Sequence, residues 1–100
     1  GNIGYKVITV QPGSPSEKCG LHPECDYVIS ANGKKLVELE PQQIIDMIQS
    51  FIDKPLPLSV YDNEIGTIRD VMITPTDEWP GKGLLGIVIR LEAYDGSRFR

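Results

Sequence analysis

The sequence predicts a small α+β domain: a curled, mostly antiparallel sheet capped by one long and one short helix, spanning residues 1–100 as a single domain. Three observations predict it. β-branched runs recur along the chain, residues 40–52 carry apolar side chains at helical spacing, and Asn32-Gly33 is a strong signal for a tight hairpin. With strands outnumbering helices and no internal repeat, the order of elements fits an α+β layer arrangement.

The first strand is Tyr5-Lys6-Val7-Ile8-Thr9-Val10, which Gln11-Pro12-Gly13-Ser14-Pro15 stops with two prolines that cannot donate to a ladder. Ser14, Pro15 and Gly20 then supply a cap, a first-turn proline and a closing glycine for a short helical turn, with Leu21 docking behind it. Asp26 to Ala31 forms a second strand. After the Asn32-Gly33 turn, Lys34-Lys35-Leu36-Val37 leads away. From Glu40 to Ile52, apolar residues at 44, 45, 47, 48, 51 and 52 define one broad helical face, and Pro41 suits the first turn. Lys54-Pro55-Leu56-Pro57 ends that helix. Strands follow at Leu58–Tyr61, at Thr67–Thr74 and at Leu85–Leu91, making five.

Composition narrows function. The chain has 100 residues, 40% hydrophobic and 24% charged, which is ordinary for a globular domain. Ten Lys and Arg stand against fourteen Asp and Glu, a net charge of -4, which argues against nucleic-acid binding through phosphate neutralisation. The basic pairs Lys34-Lys35 and Arg98 with Arg100 read as solvated surface. No apolar run approaches the roughly 18 residues of a spanning helix, so membrane contact is expected to be indirect. Two cysteines do not make a disulfide framework, and a reducing compartment is the simpler expectation. The amino end lacks a secretory pattern, and Gly1 is a poor acylation glycine because Tyr5 stands where Ser or Thr is wanted. The chain reads as a domain excised from a longer protein.

The stretch richest in chemistry is Gly81-Lys82-Gly83-Leu84-Leu85-Gly86, emptying into Ile87-Val88-Ile89-Arg90. Its letters match G-x-G-x-x-G, but a dinucleotide fingerprint needs a strand before the glycines and a helix after them. Here the turn-forming residues Thr74 to Pro80 precede and a strand follows. What survives is a nest of amides beside a strand that can hydrogen-bond an extended peptide, or, more plainly, a glycine-rich connection between two strands.

The order strand, Pro-Gly-Ser-Pro turn, short helix, Gly-Leu, Asp-Tyr-Val-Ile-Ser-Ala-Asn-Gly, long helix, strand resembles a PDZ domain in its circularly permuted arrangement, with the carboxylate-binding loop before the last strand at Leu85-Gly86-Ile87. Gly4-Tyr5-Lys6-Val7, Ser14-Pro15, Asn32-Gly33, Lys54-Pro55, Val60-Tyr61, Ile73-Thr74-Pro75 and Trp79-x-Gly-x-Gly-Leu-Leu-Gly resemble, more narrowly, the Golgi reassembly and stacking proteins. Those proteins carry two PDZ domains after an acylated amino terminus. Leu84 to Arg90 and Tyr94-Asp95-Gly96 look like the first of the pair, while Pro80 departs from the glycine common in the family's loop and lacks an amide donor.

The resemblance implies a non-catalytic peptide-binding domain that helps tether membranes. It implies binding of C-terminal tails of golgins or membrane cargo, or of internal peptides, together with self-association. It also implies location at the cytoplasmic face of the Golgi membrane through a lipid anchor outside this chain. Peptide binding is expected from Leu84, Leu85, Gly86, Ile87, Val88 and Ile89 on one side and from Pro41, Ile45 and Ile48 on the helix. Ile44, Met47 and Phe51 are expected to enter the core instead. Pro41 falls where many PDZ domains place a histidine, which favours an apolar ligand side chain. Trp79 supports the loop with Gly81 and Gly83, either as a plug or as an exposed anchor for a partner.

Cys19, His22 and Cys25 form C-x-x-H-x-x-C, three potential metal ligands without an evident fourth, so no metal or cofactor is expected. The sole histidine has no nucleophile or orienting carboxylate by motif, which speaks against an enzyme. Asp77-Glu78 reads as solvated loop charge. The alternatives are a regulatory PDZ module of a protease whose catalytic domain lies outside this chain, and a structural domain with an occluded groove.

Overall fold

A computed structural model of the chain describes residues 2–95. Gly1 lies outside them, as do Gly96, Arg98 and Arg100. The strands are β1 (Asn2–Val10), β2 (Asp26–Ala31), β3 (Lys34–Lys35), β4 (Leu56–Asp62), β5 (Thr67–Ile73) and β6 (Ile87–Tyr94). Helix α1 (Pro15–Lys18) follows β1, and a 3-10 turn (Leu36–Glu38) and helix α2 (Pro41–Ser50) lie between β3 and β4. The α+β expectation holds, with a sixth, two-residue strand added by the hairpin. Asn32 and Gly33 both take positive φ, 52° and 75°, the backbone twist that joins β2 to β3 in two residues.

All pairings are antiparallel, in the order β5-β4-β2-β1-β6, with β3 beside β2. The last strand is therefore an edge, paired with the first along its length. One face carries the core, where Val7, Val28, Leu56, Leu58, Val60, Val71 and Ile73 pack with Leu21 and Leu36. The other face holds a cluster of Tyr27, Tyr61 and Tyr94, whose ring centroids are 4.5 to 6.4 Å apart. The Tyr61 hydroxyl donates to the Asp95 carbonyl at 3.1 Å.

Helix α2 starts as its sequence prescribes. Pro41 needs no hydrogen bond at the first position, and the Glu40 amide donates to Gln43 Oε1 at 2.8 Å. Ile44, Met47, Ile48 and Phe51 pack against the core, yet no residue of the helix is fully buried. The helix lies across the sheet as a partly exposed lid. Between lid and sheet is an apolar void of about 60 Å³, touched by Ile44, Ile48, Leu85, Ile87 and Ile89. No helix among the described residues is long and apolar enough to cross a membrane.

Candidate functional site

The loop before β6 is held from beneath. Four consecutive carbonyls are each taken by a donor in the body of the domain. Gly83 O accepts from Trp79 Nε1 at 2.8 Å, Leu84 O from the Thr76 amide at 3.0 Å, Leu85 O from the Ser16 amide at 3.1 Å, and Gly86 O from the Gln11 amide at 2.9 Å. None of the amides of residues 83 to 86 donates to another described residue. With its acceptors satisfied and its donors free, the loop can give hydrogen bonds to an anionic or carbonyl oxygen.

Gly86 explains the close fit of the loop. Its φ is +68°, and a Cβ there would lie 2.2 Å from Ser14 Cβ and 2.9 Å from the Trp79 ring. Ser14, fully buried, is also the cap of α1, its Oγ accepting from the Glu17 amide at 3.2 Å. The cap, the indole and the loop therefore share one contact. Trp79 is 9% exposed, and a Cβ on Gly81 would meet its ring at 2.2 Å. The indole lies beneath the loop as a plug, with its polar edge on the Gly83 carbonyl.

Above the loop, between α2 and β6, lies an open cleft of about 300 Å³. Its apolar wall comes from Ile45 and Ile48 of the helix and from Leu84, Leu85 and Ile87 of the loop and strand. Gln11, Gln49 and Lys82 supply polar atoms, with Lys82 the one charged side chain in the lining. Of the residues expected from the sequence, the cleft thus gathers Leu84, Leu85, Gly86, Ile87, Ile45 and Ile48, with Gly83. It does not gather Pro41, which is exposed at the first turn of α2, or Val88, which points to the opposite face of the sheet. Ile89 borders the void beneath the helix rather than the open cleft. Gln11 and Gln49 were missed, since neither residue type carries a signal until the strand end and helix face are set side by side.

Cys19, His22 and Cys25 do not converge. Cys19 Sγ donates to the Ser16 carbonyl at 3.4 Å, while Cys25 Sγ donates to Asp62 Oδ1 at 3.1 Å. Burial first, and that carboxylate second, push the Cys25 thiol up to about 11. The loop serves Asp26 instead. This fully buried carboxylate accepts from Arg69 Nη1 at 3.0 Å, from Arg69 Nη2 at 2.7 Å and from the His22 amide at 2.7 Å. Arg69 also donates to the Gly20 carbonyl, so one ion pair ties the loop and β2 to β5. The hydrogen bond to Asp26, foremost, raises the guanidinium pKa further. Among the described residues the only grouping of three potential metal ligands is Cys25, Asp62 and Glu64, within 4.8 Å.

The sequence matches the model of the GRASP55/65 PDZ-like domain over residues 2–93. It is 37% identical over 82 residues to Golgi reassembly-stacking protein 1 of Homo sapiens, and equally to that of Mus musculus; each match covers 82% of this chain and 18% of the relative. It is 31% identical over 84 residues to the probable 26S proteasome regulatory subunit p27 of Saccharomyces cerevisiae, covering 84% of this chain and 37% of that protein. The chain spans about a fifth of the length of the mammalian relatives. A PDZ-like domain is a non-catalytic protein-interaction module. With a family match running from β1 into β6, and an α+β architecture to suit, the chain belongs to the GRASP55/65 PDZ-like domain family.

Proposed function

We propose that the chain is a peptide-binding domain of a Golgi stacking protein and takes the C-terminal end of a partner polypeptide between α2 and β6. The observation that carries this is the loop from Gly83 to Gly86, with carbonyls occupied and amides free at the head of an apolar cleft. A carboxylate received there places the ligand chain alongside β6, whose outer edge has no strand partner among the described residues. Lys82 adds a positive charge at the mouth. The permuted arrangement, with the loop-bearing strand last in sequence, is part of the same reading.

By likeness to the Golgi reassembly-stacking proteins, the partners are tails of golgins or membrane cargo. Self-association and a lipid anchor outside this chain then hold the assembly at the cytoplasmic face of the Golgi. One cleft of this size gives modest affinity, so tethering draws on several sites at once.

The test is titration with a hydrophobic C-terminal peptide as free acid and as amide, read from the amide resonances of residues 84 to 89. The acid is expected to shift them and to bind more tightly than the amide. No shift from either form would sink the proposal. A second reading, a regulatory module of a proteolytic assembly, rests on the likeness to the yeast proteasome subunit. Co-purification with proteasome particles rather than Golgi membranes would favour it.

A further inference from the structure

The cleft ends near Ile87, but the apolar surface does not. Ile87, Ile89, Leu91 and Ala93 alternate along β6 and share one face. The pairings Val7 with Ile89, Tyr5 with Leu91 and Ile3 with Ala93 put three β1 residues on that same face. Val7 belongs to the buried core, which identifies this face as the one beneath α2. Along β6 and at the start of β1 this face opens to solvent. Ile89 is 38% exposed, Leu91 53% and Ile3 50%, a row of large apolar side chains continuing from the cleft down the edge strand.

The strand itself is built to be read over that distance. The one irregularity between β1 and β6 is an extra residue, Ile8, and it sits in β1. β6 therefore stays regular, with its alternation unbroken from Ile87 to Tyr94 and no strand on its outer edge among the described residues. A ligand whose terminus lies at Gly83–Gly86 must run antiparallel to β6. At about 3.3 Å per residue, it reaches Leu91 some four residues and about 13 Å upstream of its terminus.

We infer that the partner is an extended C-terminal segment of about seven residues, with apolar side chains at the last position and at the second and fourth positions before it. The side chain of that fourth position rests on Leu91. This deepens the function proposed above and rests on it. The occupant is a peptide strand because a regular open edge offers main-chain hydrogen bonds along its whole length, and the apolar row beside it has the two-residue period of a strand.

Three peptides with free carboxylates test this against the chain by calorimetry: Ser-Thr-Leu-Thr-Val-Thr-Val, the same peptide with Ala in place of Leu, and the tetrapeptide Thr-Val-Thr-Val. The Leu peptide is expected to bind about fivefold tighter than the Ala peptide, the effect of burying about half a leucine side chain. Leu91→Ser should remove that difference and leave tetrapeptide affinity unchanged. Leu91 is exposed, so the variant is expected to fold, and an unaltered thermal midpoint checks it. Equal affinity of the Leu and Ala peptides, with the tetrapeptide still binding, would overturn the extended register alone. Binding by none of the three would overturn the cleft proposal and this inference with it.

Discussion

Gly86→Ala and Gly83→Ala form a matched pair, because both glycines have positive φ, +68° and +82°, but only the first is crowded. At either position alanine meets the left-handed backbone penalty of about 1–2 kcal/mol, offset by about 0.4–1 kcal/mol from a stiffer unfolded chain. Gly83→Ala adds nothing further, since no atom lies within 4 Å of its Cβ. Gly86→Ala must also displace Ser14 Cβ from 2.2 Å, and that atom is fixed to the backbone. Overpacking of this kind costs about 1–3 kcal/mol more. The two variants should therefore differ by that amount in urea unfolding, or by roughly 5–20 °C in thermal midpoint for a domain of this size. Ser14→Gly on the Gly86→Ala background should recover part of the loss, because it removes the clashing carbon, and glycine replaces a cap at a cost of only a few tenths of a kcal/mol. Equal stability of the two alanine variants, or strict additivity of Ser14→Gly with Gly86→Ala, would refute the shared contact.

Asp26→Ala should destabilise by about 1–3 kcal/mol, since it removes the bidentate partner of Arg69 and the acceptor of the His22 amide. In a denaturation series, Arg69→Ala added on that background should cost much less than it does alone; an equal cost in both backgrounds would sink the coupling. Trp79→Phe keeps ring packing but removes the bond to Gly83 O, and should lower stability by about 1 kcal/mol and weaken peptide binding. As the chain's one tryptophan, Trp79 should also report peptide binding by its emission, and an unchanged spectrum at saturation would count against its place under the loop. With its thiol near 11, Cys25 is about 0.1% thiolate at pH 8, so iodoacetamide should label it far more slowly in the folded chain than in urea. Asp62→Asn should speed that labelling. The same hydrogen bond from Cys25 lowers the Asp62 pKa, so the stability it confers is present at neutral pH and lost as pH falls through the folded value. A thermal midpoint with the same acid dependence in wild type and Asp62→Asn would contradict this.

The local elements were legible because their signals are local. Asn32-Gly33 demands a two-residue turn, Pro41 opens a helix, and β-branched alternation marks Asp26 to Ala31 wherever that strand goes in the sheet. Half of the candidate site was legible for the same reason, since Gly83 to Ile87 lie together in sequence. The helix side was harder. Ile45 and Ile48 reach the cleft and Pro41 does not, although all three share one stripe, because how far a helix covers a sheet depends on its crossing and not on its period. The cysteine and histidine spacing gave no sign of what holds that loop. Asp26, one residue past Cys25, organises that loop, and its partner Arg69 is 43 residues away.

From sequence alone came the element types, the order of the strands along the chain, the glycine loop and the family resemblance that gave it a use. Those rest on backbone preferences and on patterns of neighbouring residues. Tertiary structure decided that β6 is an edge, that Trp79 lies beneath the loop rather than outside it, and that four loop carbonyls are spoken for while their amides are free. Each of these depends on donors and side chains contributed by distant segments, from Gln11, Ser16 and Thr76. A loop's chemistry is set by which of its polar groups the rest of the fold has already satisfied, and only the folded chain brings those partners into reach.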